Sequence, residues 1–73
     1  MRTIENLGRM IKERRRQLDA SQSHVASLAK ISVNTLSQIE RGEANPTVRL
    51  LEAIGNVLGM ELTLQVKKSQ DSA

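Results

Sequence analysis

Apolar positions recur with a helical period through residue 58, and then the period changes. Ile4, Leu7, Met10, Ile11 and Leu18 are spaced by three, four and seven, and polar residues such as Arg9, Lys12, Glu13 and Arg16 fill the gaps. That is one stripe of an amphipathic helix over residues 4–18. Asp19-Ala20 interrupts the stripe, and Ser21 is placed to cap a short second helix, 22–29, with Val25, Leu28 and Ala29 inward and Ala26 beside them. Lys30-Ile31 is too short for a loop and predicts a tight turn. Ser32 then caps a third helix, about 33–41, whose inward side is Leu36 and Ile39. Gly42 fits the left-handed position that closes a helix. In the loop 43–47, either Asn45 caps with Pro46 as the first helical residue, or Thr47 caps a helix beginning at Val48. The fourth helix, about 48–58, carries Leu50, Leu51, Ile54, Val57 and Leu58, and Gly59 ends it. Met10 and Met60 read as core filler.

From Glu61 to Lys67 the period is two, with Leu62, Leu64 and Val66 alternating with polar residues. This predicts a half-buried strand. A lone strand in a helical chain has unpaired backbone groups, and the same strand of a second copy, antiparallel about a two-fold axis, would satisfy them. Residues 68–73 are expected to be a disordered tail. The predicted fold is therefore all-α: a compact bundle of four to five helices over residues 1–60, with one C-terminal β-strand, 61–67, pairing across a homodimer.

Composition narrows the chemistry. Among the 73 residues there is no Cys, Phe, Trp or Tyr and a single His. Without cysteine there is no disulfide scaffold, zinc finger, iron–sulfur centre or thiol nucleophile. Without aromatics there is no stacking platform for single-stranded nucleic acid. A domain of this size buries only about 60% of its unfolded surface, so a partner subunit would help. No apolar run approaches the roughly 20 residues of a membrane span, and the opening MRTIENLGRM lacks the apolar core of a signal peptide, so a cytoplasmic location is expected. His24 has no companion ligands for a metal, and the serines have no His–Asp partners, so neither a metal, a cofactor nor an enzyme is indicated. G-N-V-L-G at 55–59 matches a membrane helix-pairing pattern inside a run too short for one.

Charge is uneven. Residues 1–42 hold eight basic and four acidic groups, and residues 43–73 hold three basic and four acidic ones. The first part suits a polyanion. Arg14-Arg15-Arg16 cannot share a face, because a helix turns about 100° per residue, so one or two at most would reach a phosphate backbone.

The stretch SQSHVASLAKISVNTLSQIERG, 21–42, sets two short helices around a turn of about three or four residues. Ala26 is small where the helices would cross. The outward side of the third helix, Ser32, Val33, Asn34, Thr35, Ser37 and Gln38, is short and almost wholly neutral and polar, where a solvated helix more often carries Lys and Glu. LGRMIKERR at 7–15, SQSHVA at 21–26, S-x-x-T-L-S-x-I-E-x-G at 32–42 and NPT followed by LL, AI and LG at 45–59 resemble the phage-repressor-type (XRE-like) helix-turn-helix family. The resemblance implies a bundle that binds operator DNA in the major groove. Gln22 matches a phosphate-contacting position that also supports base-reading groups. Ser32, Val33, Asn34, Thr35, Ser37 and Gln38 match the groove-facing positions, with Asn34, Thr35 and Gln38 suited to base edges and Val33 to a thymine methyl. Arg41, Asn45 and Thr47 match a loop that lies against the DNA backbone. It also implies an internal ion pair between Arg15 and Glu40. One departure stands out: the family usually has Gly in the turn where this chain has Lys30. A repressor-like bundle followed by GMELTLQVKK is similar, further, to HipB-type antitoxins, which bind operator DNA and a HipA-like kinase toxin. A stand-alone repressor and a protein-interaction adaptor are the alternatives.

Overall fold

Leu36 and Ile54 are wholly removed from solvent, and around them four helices close. The computed structural model describes residues 2–67, so the expected tail at 68–73 lies outside the described residues. The helices are α1 (Arg2–Gln17), α2 (Gln22–Ala29), α3 (Val33–Glu40) and α4 (Val48–Leu58). The core joins Ile11 of α1, Val25, Ala26 and Ala29 of α2, Leu36 and Ile39 of α3, and Ile54 and Leu58 of α4. Burying one such Leu or Ile contributes about 1.5–3 kcal/mol. α2 packs on α3 and α4, and α1 on α3 and α4.

The helix starts follow from local capping. Ser21, Ser32 and Thr47 each sit in extended backbone and accept a hydrogen bond from the N–H three residues on, that of His24, Thr35 and Leu50 respectively. Thr47, not Asn45, therefore starts α4. The first helix begins two residues earlier than its apolar stripe suggests.

All four helices end in a left-handed residue, and only two of these are glycine. Gly42 (φ 75°) and Gly59 (φ 70°) close α3 and α4, whereas Asp19 (φ 55°) and Lys30 (φ 63°) close α1 and α2. At Lys30 the N–H of Ile31 donates to the Ala26 carbonyl at 2.9 Å and that of Lys30 to Ser27 at 3.2 Å. The same pair of bonds recurs at Asp19, from Ala20 to Arg15 and from Asp19 to Arg16. These are Schellman closures, which satisfy the last carbonyls of the helix. Lysine in this conformation is disfavoured by about 1 kcal/mol, and Ile31, packed against the core, holds it there.

Where α1 crosses α3, Gly8 is buried, and a methyl group there would overlap the Ile39 carbonyl oxygen. Three apolar side chains lie further out than their spacing suggests. Met10, expected in the core, is half exposed, as are Leu18 and Leu28. On α1 the buried side centres near Gly8 and Ile11, and at about 100° per residue Met10 falls well off that line. Leu28 is similarly displaced from the buried Val25, Ala26 and Ala29, and Leu18 follows the end of α1. Met60 is partly buried against the core.

Residues 61–67 form no strand in the single chain: a ladder needs a second backbone, and none pairs with them among the described residues. Leu64 and Val66 are consequently 99% and 97% exposed.

Candidate nucleic-acid interface

The outward side of α3 is a ridge. Leu36, Ile39 and Glu40 face inward and are buried. With 3.6 residues per turn, Asn34 and Gln38 then lie opposite the core, one turn apart, with Arg41 continuing the line just past the helix. All three are exposed. Among the described residues, the side-chain amides of Asn34 and Gln38 have no intramolecular hydrogen-bond partner, so their donors and acceptors are free for one outside the chain. The helix offers no exposed carboxylate: its one acid, Glu40, is 7% exposed.

The flanking positions are more occupied. Ser32 is the N-cap of α3, and its hydroxyl also donates to Thr35 Oγ1 at 2.9 Å. Ser37 Oγ accepts from Arg41 Nη1. Thr47 is tied to α4 as its cap, while Asn45 is exposed in the loop. Val33 is 42% exposed at the start of the ridge.

Behind the ridge, one carboxylate collects three helices. Arg15 Nε donates to Glu40 Oε2 at 2.7 Å and Arg15 Nη2 to Oε1 at 3.0 Å, while Gln22 Nε2 donates to the same Oε1 at 2.9 Å. Arg15 Nη1 also reaches the Ala20 carbonyl at 2.9 Å, in the turn between α1 and α2. Burial pushes the Glu40 carboxyl up, but the bonds from Arg15 and Gln22 and the charges of Arg15 and Lys12 outweigh it, so the carboxyl is held below its usual range. The bond to Glu40 raises Arg15 in turn against the opposing effect of burial. Both groups are therefore charged at neutral pH, and the angle between α2 and α3 is tied to α1 through them.

Two short helices joined by a Schellman turn, packed through Ala26, and with the second presenting a neutral polar ridge, form a helix-turn-helix. A protein-family model described as helix-turn-helix matches residues 11–65, three-quarters of the chain. The chain belongs to the XRE-type helix-turn-helix family. None of the curated proteins matches it. A helix-turn-helix of this type is a DNA-binding unit of transcription regulators, and α3 is its second helix. An α-helix with its side chains is about 10–12 Å across, which a major groove about 12 Å wide admits. No helix of the described residues is long and apolar enough to cross a membrane.

The helix-turn-helix also contains features that residue spacing does not reveal. The Gln22 amide, assigned to phosphate by resemblance, has one of its two N–H groups engaged with Glu40; the second remains for an external acceptor. Glu43, in the loop after α3, stands against Arg41, with Arg41 Nε donating to its Oε1 at 3.0 Å. The R-G-E order at 41–43 is its only sequence signal.

Proposed function

We propose that the protein is a homodimeric, sequence-specific transcriptional repressor that lays α3 into the major groove of operator DNA. The observation that carries this reading is the exposed ridge of Asn34 and Gln38, whose amides have no partner within the described chain. Asn and Gln can each bond adenine through two hydrogen bonds, a contact that discriminates by about 1–3 kcal/mol. Thr35 reads a neighbouring base edge, and Val33 meets a thymine methyl. Ser32 and Ser37 face the groove beside them, Arg41, Asn45 and Thr47 lie against the DNA backbone, and Gln22, braced by Glu40, offers its free N–H to a phosphate. Residues 1–60 form the DNA-binding unit and 61–67 the dimerisation strand, in which Leu62, Leu64 and Val66 are covered by a second copy; their exposure in the single chain supports this. Two-fold symmetry then sets half-sites about 34 Å apart on a palindromic operator. Repression follows from occlusion of the promoter.

Selection from a random duplex pool tests the reading. The wild-type protein should enrich a palindrome. Asn34→Ala and Gln38→Ala should each relax preference at a defined base pair by about 5- to 150-fold. Unaltered preference in both variants would rule out this ridge as the reader of bases.

A second reading makes the protein the antitoxin of a HipBA-like pair, autoregulating its operon and binding a HipA-like kinase. The charge of residues 43–73, three basic groups against four acidic ones, favours it together with the segment 61–67, because that half suits a protein partner better than a polyanion. Co-purification with a larger kinase-like protein distinguishes it from a stand-alone regulator.

A further inference from the structure

Glu43 occupies an unexpected place for an acid. The segment from Val33 to Thr47 contains two carboxylates, Glu40 and Glu43. Glu40 is buried against Arg15, so Glu43 is the one negative charge this segment exposes. It lies beside Arg41, at the foot of α3. Arg41 Nε donates to Glu43 Oε1 at 3.0 Å, and Arg41 Nη1 donates to Ser37 Oγ on the outward side of α3. Both side chains of the pair are more than half exposed, so solvent and ligands reach them.

The placement is fixed by the backbone. After α3 the chain reverses through Gly42 in the left-handed region, φ 75°. The Gly42 N–H donates to Ile39 at 3.0 Å and the Glu43 N–H to the Gln38 carbonyl at 2.9 Å. A side chain at Gly42 would run into Glu5 of α1, so the turn is also packed from behind. Glu43 is thus held one turn from Gln38 by a closed Schellman turn.

An exposed ion pair of this kind adds little to folding. Its effect on a polyanion is larger. A DNA phosphate approaching Arg41 finds Nε already committed and a carboxylate about one hydrogen bond away. A phosphate can still be met by Nη2, which these bonds leave unengaged, but it then shares the guanidinium with the Glu43 carboxylate and faces its like charge. The phosphate contribution to binding is the same for every sequence, whereas base reading by Asn34 and Gln38 is not.

We propose that Glu43 is an electrostatic brake on DNA binding: it engages Arg41 at the foot of the recognition helix and weakens the phosphate contact on all duplexes alike. The inference rests on the reading of α3 as the DNA-facing helix. It assigns Glu43 a positioning role, and it makes recognition depend more heavily on the bases and less on the backbone.

The test is a titration of a fluorescent mixed-sequence duplex by the full-length protein over a range of salt. Glu43→Gln should bind about three- to tenfold more tightly than wild type, with a steeper fall in affinity as salt rises. Glu52→Gln, which removes the same charge from exposed α4, controls for net charge and should gain much less. In an Arg41→Ala background the gain from Glu43→Gln should shrink to that of Glu52→Gln. A Glu43→Gln affinity within about twofold of Glu52→Gln, or a gain undiminished without Arg41, would overturn the brake while leaving DNA binding in place. Failure of the wild-type protein to bind any duplex would instead remove the DNA-facing reading, and the brake with it.

Discussion

Arg15 and Glu40, 25 positions apart in the chain, meet in a two-bond ion pair of 2.7 and 3.0 Å, with side chains 12% and 2% exposed. The pair joins α1 to the end of the recognition helix. Because Gln22 shares Glu40 Oε1, it also joins the start of α2. A pair this dry adds little net stability over an apolar substitute, since desolvation offsets much of the attraction. Its effect is geometric: in the arrangement of α2 and α3 that it ties together, every buried side-chain nitrogen and oxygen among those described has a hydrogen-bond partner.

Removing one partner should therefore be far worse than removing both. Glu40→Ala strands the Arg15 guanidinium and the Gln22 amide, and should destabilise the domain by about 3–5 kcal/mol. Urea denaturation of Glu40→Ala and of Arg15→Met/Glu40→Leu checks this. The double variant should regain most of the loss. A single variant that unfolds at the wild-type midpoint would show that the pair does not hold the helices.

Acid should uncouple the same junction. The Glu40 carboxyl lies below its unfolded value of 4.5, so the unfolded chain binds the proton more readily. The contribution is fully present above that value and is lost as the pH falls through it and on through the lower folded one. Melting temperature should decline as the pH drops below about 4.5, and Glu40→Gln, already neutral, should show a shallower decline over that window. Parallel acid profiles for the two proteins would remove Glu40 as the source.

The turn between α2 and α3 offers a gain instead of a loss. Lys30 sits at φ 63° and ψ 42°, a conformation that glycine adopts without Cβ strain. Lys30→Gly should stabilise the domain by about 0.5–1 kcal/mol, a rise of several degrees in Tm for a chain of this length. Circular-dichroism melts measure it, and an unchanged or lowered Tm would mean that the lysine stem contributes packing that outweighs the strain.

Local signals in the chain reached a long way here. The apolar spacing in α1 to α4, the N-caps Ser21 and Ser32 and the terminators Gly42 and Gly59 gave four helices within a residue or two of their ends. Each of these depends only on neighbours three or four positions away. Between Asn45 and Thr47 the sequence left the start of α4 open, because either side chain can cap. Thr47 is the cap in the folded chain.

Local spacing thus sets the helices, their order and, through the pattern at 32–42, the helix-turn-helix family. What meets across the helices comes only with their packing. No local rule places Gln22 on Glu40, 18 positions away, or puts Gly8 under the Ile39 carbonyl. None requires Asp19 and Lys30 to turn left-handed without glycine, since that conformation is held by Ala20 and Ile31 packing back onto the core. The exposure of Met10 and Leu28, too, follows from which side of each helix its neighbours cover. Helical periodicity is set by the backbone a turn at a time, whereas these contacts exist only after four helices have chosen their crossings, and the buried Arg15–Glu40 pair is where those crossings are fixed.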